Sequence, residues 1–158
     1  MSALLNALLS QSASGQFLTA REVSKFTAAE IRQTMADLVR TDRIDLADAL
    51  SAAGLGLYPN SEDILAMSAL LAEIKSDWVT AENLLTQLMT QQGQNTTPFT
   101  WRHLIRVLRC QCEPGKALLV AKQAMTAYPE DDILRDEFLS LQALVTEQMP
   151  VEASTQLH

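Results

Sequence analysis

Three arginines, Arg102, Arg106 and Arg109, are the residues whose type and spacing most directly suggest chemistry. They lie four and three residues apart, which places them on one face if this segment is helical. A guanidinium presents a planar fork of N–H donors that binds a carboxylate through two hydrogen bonds at once. The pattern therefore predicts either a surface that holds acidic groups of a ligand, or ion pairs with Glu73, Glu113 or acidic residues of the last helix.

Histidine and cysteine, which often perform catalysis or bind metals, do not form a recognisable site. The two histidines are His103 and His158, and no third group orients His103 towards a cysteine nine residues away. Cys110 and Cys112 stand two residues apart, and no second Cys/His pair completes a zinc set. The acidic segments lack the spacing and the glycine of a calcium loop. We expect reduced thiols, no metal, no cofactor and no enzymatic activity.

The composition favours one domain made of helices. The chain has 158 residues, of which 47% are hydrophobic and only 5% aromatic, and abundant Ala, Leu, Met, Gln and Glu favour helix over sheet. Nineteen acidic residues against twelve basic ones exclude the positive surface that general nucleic-acid binding requires. The longest apolar run is too short to span a bilayer, and no basic leader precedes it. We therefore expect an all-α, cytoplasmic protein without membrane insertion.

Capping sequences mark where the helices begin and end. Thr19 to Glu22 and Thr27 to Glu30 fit the capping box. Ser61 precedes two acidic residues, as an N-cap would. Thr97 precedes a proline at the first helical position, where the missing amide costs nothing. Together with Pro and Gly stop signals, these caps predict helices over residues 19–26, 28–41, 44–58, 62–75, 78–92, 98–110, 115–128 and 131–147.

The helices also repeat along the chain. Superposing the second helix of each predicted pair aligns Ala47, Ala81 and Ala117, at intervals of 34 and 36 residues. Tyr58 and the proline that follows it are echoed by Tyr128 and its proline, 70 residues later. A period of this length is typical of stacked helical hairpins, none of which can bury its apolar face alone.

In this pattern the sequence resembles the tetratricopeptide repeat family. Trp101 and Leu104 match the Trp–Leu pair of the family's first helix, and Ala69 matches its small position. The three aligned alanines match the family's second-helix Ala, and two closing prolines are present. The sequence departs from the family where a second-helix aromatic is replaced by Ser51, Leu85 and Ala121. The resemblance implies a right-handed superhelix of three helical hairpins and a capping helix, over residues 28–60, 61–95, 97–130 and 131–147.

This organisation defines a repeat domain over residues 27–147. An N-terminal helical extension over residues 1–26 precedes it, and a flexible tail over residues 148–158 follows. In the capping helix, five apolar residues are expected to cover the last repeat, namely Ile133, Leu134, Phe138, Leu141 and Leu144.

The resemblance further implies a concave groove lined by the first helix of each hairpin. Such a groove binds a segment of another protein, extended or helical and here with acidic groups, so an adaptor or chaperone role is expected. Small size, acidity and three units also resemble the translocator-class chaperones of bacterial type III secretion. The groove positions are Arg32, Arg40, Ala66, Leu70, Glu73, Arg102, Arg106 and Arg109.

A leucine stripe near the N-terminus leaves a second function open. Leu4, Leu5, Leu8 and Leu9 form an apolar face on a helix that is too short to be stable in isolation. It can dock on the first repeat of its own chain or on a second copy, as a homodimer. In the second case the protein would be a structural assembly subunit that self-associates or builds a larger complex, for example in a bacterial secretion system.

Overall fold

The computed structural model describes residues 2–148, and within this range every regular element is a helix. The chain divides into two compact units, unit 1 and unit 2, with the boundary between Asn95 and Thr96. Unit 1 holds six α-helices and a short 3-10 turn, which are α1 Ala3–Ser12, α2 Ala20–Val23, α3 Ala28–Arg40, α4 Ile44–Leu57, α5 Glu62–Ile74, α6 Trp78–Gln92 and Gly93–Asn95. Unit 2 holds α7 Pro98–Cys110, α8 Pro114–Ala127 and α9 Asp132–Gln148. Apart from Gln148, the predicted tail lies outside the described residues.

The predicted all-α class is confirmed, and most helix starts follow their capping sequences. Thr19 and Thr27 each accept a hydrogen bond from the amide three residues on, and Glu22 and Glu30 accept one in return from the threonine amide, at 2.7 and 2.8 Å. These backbone hydrogen bonds lower the pKa of both glutamates. The Ser61 prediction is only partly right, because Ser61 occupies the N-cap of α5 but its hydroxyl makes no capping hydrogen bond.

The same left-handed turn joins the helices of each predicted pair. Asp42, Ser76 and Cys112 have φ values of 59°, 58° and 59°, and the amide after each of them donates to the carbonyl five residues back, at 2.8 to 3.0 Å. This is the Schellman arrangement that satisfies the last carbonyls of a helix. Cys112 therefore occupies a turn position that three hairpins share.

Unit 1 is built from two antiparallel hairpins with α1 and α2 packed on the first of them. The hydroxyl of Tyr58, just after α4, donates to the carbonyl of Phe26, just before α3, at 2.8 Å. In the second hairpin the side-chain Nε2 of Gln92 donates a hydrogen bond to the Glu62 carboxylate at 3.1 Å. Helix α5 packs against α3, α4 and α6. The core is aliphatic, with its largest fully buried side chains at Leu4, Leu8, Ile31, Met35, Leu38, Leu50, Ile64, Leu65, Leu71, Leu85 and Leu88.

Unit 2 repeats the middle of unit 1 at a shift of 70 residue numbers. Helices α7 and α8 have the bounds of α3 and α4 plus 70, and α9 begins 70 residues after α5. Tyr128 donates to the carbonyl of Thr96 at 2.8 Å, the counterpart of the Tyr58 hydrogen bond. Its core holds Leu104, Ile105 and Leu108 from α7, together with alanines of α8 and two leucines of α9. None of the helices within residues 2–148 is long and apolar enough to cross a membrane.

Candidate functional site

The three arginines lie together on the exposed face of α7, as their spacing predicts. Thr97 caps this helix by accepting a hydrogen bond from the Thr100 amide, and Pro98 occupies the first turn. The opposite face is buried in unit 2 through Thr100, Trp101, Leu104, Ile105, Val107 and Leu108. The helix therefore presents Arg102, Arg106 and Arg109 outward because its apolar residues fill the core.

Two of these arginines form ion pairs with α9 or the residue before it. Arg102 contacts Asp131 at 2.5 Å and Arg109 contacts Glu137 at 2.6 Å, with arginine side chains 37% and 38% exposed. Asp131 also accepts a hydrogen bond from the Leu134 amide, and this bond, with that from Arg102, lowers the pKa of Asp131. The sequence alone did not decide whether the arginines pair with acidic residues of the last helix. Within unit 2, two such ion pairs are present.

These ion pairs do not use all the donors of the guanidinium groups. A guanidinium has five N–H donors, and a carboxylate on one edge leaves the other edge available. The Nε of Arg102 is buried and makes no hydrogen bond with the residues that the structure describes. Asp131 and Glu137 therefore orient the arginines, and only the solvent-exposed part of each side chain, which excludes the buried Nε of Arg102, can hold a second carboxylate.

An open cleft of about 380 Å³ lies beside the arginines. Its walls come from α7 and α9, through Arg102, His103, Arg106, Arg109, Cys110 and Glu137. The exposed side of α7 also carries Phe99, whose ring lies 4.2 Å from that of His103 between centroids. On α9, Ile133 and Leu144 share the face of Glu137 by their spacing and are 53% and 36% exposed. We call this combination of guanidinium, aromatic and aliphatic groups the α7–α9 surface.

The exposure of Ile133 and Leu144 corrects one expectation for the capping helix. Leu134 and Leu141 are buried and Phe138 is half-buried, as expected for residues that cover the last hairpin. Ile133 and Leu144 lie on the neighbouring face of α9 and remain in solvent, because a helix packed on one hairpin buries a single stripe. They extend the candidate surface instead of closing the core.

The expected groove residues of unit 1 are only partly exposed. Arg32 pairs with Asp63 on α5 at 3.3 Å, while Arg40 pairs with Asp37 of its own helix at 2.6 Å. Glu73 is 6% exposed, so little of its side chain is available to a partner at the predicted groove. It lies on the stripe of α5 that includes the buried Ala69. The remaining two groove positions of unit 1, Ala66 and Leu70, are half-buried.

The leucine stripe of α1 is packed inside unit 1. Leu4, Leu5 and Leu8 are at most 6% exposed, and Leu9 is half-buried against the same core. Helix α1 contacts α3, where the Ser2 and Thr34 hydroxyls form a hydrogen bond of 3.1 Å. Of the two docking modes open from the sequence, the structure has the intramolecular one. The expected self-association face is therefore covered by the chain's own first hairpin.

Of the residue types that could perform catalysis, His103 and Cys110 both line the cleft of the α7–α9 surface, whereas Cys112 lies in the turn after α7. Cys110 and Cys112 are exposed thiols without a disulfide, and His103 packs against Phe99. Within residues 2–148 no group of three or more His, Cys, Asp or Glu side chains is arranged to hold a metal ion. The α7–α9 surface is accordingly the best-defined candidate site of unit 2.

Comparison with known proteins yields no assignment. No protein-family model matches the chain, and no curated protein matches it significantly. The tetratricopeptide resemblance stays a prediction, although the described residues do contain the helical hairpins on which it rests.

Proposed function

We propose that the protein is a non-enzymatic protein-binding module, an adaptor or chaperone, which holds an acidic and partly apolar partner segment on the α7–α9 surface. The observation that carries the proposal is the row of three guanidinium groups on one exposed helix face beside an open cleft. Carboxylates of the partner complement this row, because residues 98–110 contain three arginines and no acidic residue.

The ion pairs to Asp131 and Glu137 favour this role. They hold two long side chains in fixed positions before a partner arrives, so binding loses less conformational entropy. Exposed Phe99, Ile133 and Leu144 offer 38%, 53% and 36% of their surface to apolar groups of the same partner. A segment in which carboxylates alternate with apolar side chains satisfies both features.

The equivalent positions of unit 1 suggest how the two units differ in the partner chemistry they favour. Shifting the arginine positions back by 70 gives Arg32, Ala36 and Val39 on α3, and shifting Ile133, Glu137 and Leu144 back by 70 gives Asp63, Met67 and Ile74 on α5. This face of unit 1 is mainly apolar, whereas that of unit 2 is basic.

The test is selection of a twelve-residue phage-displayed peptide library on the full chain. We expect the selected peptides to be rich in Asp and Glu next to Leu, Phe or Ile, and to lose binding on Arg102→Gln/Arg106→Gln/Arg109→Gln. The control variant Lys116→Gln/Lys122→Gln/Arg135→Gln removes the same charge from α8 and α9 and should keep binding. Selected peptides without carboxylates, or equal loss in both variants, would overturn the proposal.

Thermal unfolding of both variants separates binding from stability. The two ion pairs are partly exposed, and such pairs contribute roughly 0.2–1 kcal/mol each, so the arginine variant should remain folded. A large fall in melting temperature with unchanged peptide binding would show that the arginines serve stability alone. Binding should also weaken as salt rises, since partly exposed charge pairs are screened.

A further inference from the structure

Unit 1 contains a second cleft that is separate from the α7–α9 surface. It has a volume of about 180 Å³ and lies among α4, α5 and α6. The aliphatic part of its wall comes from Ala52, Leu55, Leu71, Ala72 and Leu84, and polar or charged side chains line the rest. Drug-sized ligands occupy pockets of roughly 300–1,000 Å³, so this cleft suits a single side chain.

Two small buried residues form part of this cleft. Ser51 of α4 donates a hydrogen bond to Ser68 of α5 at 2.7 Å, and the two side chains are 7% and 3% exposed. Each hydroxyl thus has a protein partner, so neither requires a polar group from a ligand. The cleft therefore favours an apolar group over a polar one.

Unit 2 has an aromatic ring at the corresponding position. The shift of 70 residues relates Ser51 to Ala121 and Ser68 to Phe138. Phe138 is half-buried on the face of α9 that also carries the buried Leu134 and Leu141. The α8–α9 pair thus accommodates a phenyl ring where the α4–α5 pair has two small hydroxyl side chains, although no counterpart of α6 follows α9 within the described residues.

Charge at the rim indicates which residues accompany the ring. Asp48 and Lys75 form an ion pair of 2.7 Å at the cleft, and Asp77 adds a further acidic group to its lining. Residues 2–95 contain eleven acidic and six basic side chains. A basic segment is therefore attracted to this unit more strongly than an acidic one.

From this geometry we infer that the cleft of unit 1 receives one aromatic side chain of a partner protein, flanked in the partner by lysine or arginine. The ring enters between α4 and α6 and lies over Ser51 and Ser68. Aromatic anchors that fill a small desolvated pocket commonly dominate the affinity of a protein interface. This inference does not depend on the arginines of unit 2, and either site can exist without the other.

The test is an NMR titration of the isotope-labelled full chain with the peptide acetyl-Lys-Phe-Lys-amide. Saturable shifts are expected at the amides of Ser51, Ser68 and Thr80. Acetyl-Lys-Ala-Lys-amide should bind about tenfold more weakly, because it lacks the anchoring ring. Acetyl-Glu-Phe-Glu-amide should also bind more weakly, because the rim of the cleft is acidic. Equal shifts with the phenylalanine and alanine peptides would overturn the inference.

Two variants close the cleft in different ways. Ser51→Ala/Ser68→Phe copies the Ala121 and Phe138 pair of unit 2 and should abolish the shifts while the chain stays folded. Ala52→Trp obstructs the exposed edge of the cleft without altering Ser51 or Ser68, so it keeps the test valid if the first variant does not fold. Thr86→Trp, at an exposed position of α6 outside the cleft, should bind as the parent does. Binding that survives in both closing variants would contradict the inference.

Discussion

Two glycines of α4 should respond in opposite ways to the same substitution. Gly54 is buried and Gly56 is exposed, although they are only two residues apart in one helix. A Cβ added at Gly54 would lie 3.3 Å from Ile31 Cγ2, and 3.3 and 3.4 Å from two methyl carbons of Ile64. Apart from its chain neighbours and the backbone of its own helix, a Cβ added at Gly56 would have no heavy atom within 4 Å.

The expected free-energy changes follow from these distances. Replacing a helical glycine with alanine stabilises by about 0.5–1 kcal/mol, since the unfolded chain loses freedom. Gly56→Ala should show this gain. At Gly54 the gain is opposed by overpacking, which costs about 1–3 kcal/mol. Ile31 and Ile64 are fully buried and have little room to move, so Gly54→Ala should destabilise by about 1 kcal/mol net.

Urea unfolding followed by far-ultraviolet circular dichroism measures both changes. Gly56→Ala should raise the midpoint and Gly54→Ala should lower it, with the same m value. Adding Ile64→Val removes the closest Ile64 methyl, so the cost of Gly54→Ala should be smaller in that background. If Gly54→Ala stabilises as much as Gly56→Ala, α4 does not approach α3 and α5 as closely as the structure has it, and the reasoning is refuted.

Two further predictions concern the repeated hydrogen bonds and the helix caps. Tyr58→Phe and Tyr128→Phe each remove one hydroxyl from a part-buried carbonyl, so both should lower the free energy of unfolding by a similar amount, about 1 kcal/mol; a loss at one position only, in urea unfolding, would contradict the equivalence of the hairpins. The pKa of Glu22 and of Glu30 is lowered from 4.5 on folding, so their contribution to stability is present above pH 4.5 and is lost as the pH falls through the lower pKa values of the folded state. Replacing both glutamates with glutamine keeps the capping geometry without the titration, so the urea midpoint should fall less steeply with acidification, and an unchanged slope would contradict this.

Much of the local structure could be predicted because its signals lie close together in the chain. A threonine and a glutamate three residues apart identify the starts of α2 and α3, and proline after threonine identifies the start of α7. The 70-residue echo of Tyr58 and Tyr128 relates two hairpins before any coordinates are known. The spacing of the arginines likewise predicts their common face, since helical geometry alone determines it.

Predictions that depend on contacts between helices were less complete. Glu73 was expected to face a groove and is buried, because the packing of α5 against three other helices covers more of its surface than one apolar stripe would require. Ile133 and Leu144 were expected to cover the last hairpin and are exposed. The arrangement of Ser51 and Ser68 in a cleft was not predicted, although aligning the units by 70 residues sets Ser68 against Phe138 and provides a signal.

The sequence by itself determined the all-α class, most helix bounds and the shared face of the arginines, because these depend on residues within one or two helical turns. Tertiary structure decided that the leucine stripe packs within unit 1, that Asp131 and Glu137 pair with the arginines, and that α4, α5 and α6 enclose a cleft. Each of those outcomes depends on distances between side chains far apart in the chain. Such distances are determined by how helices pack, which the local sequence pattern does not specify.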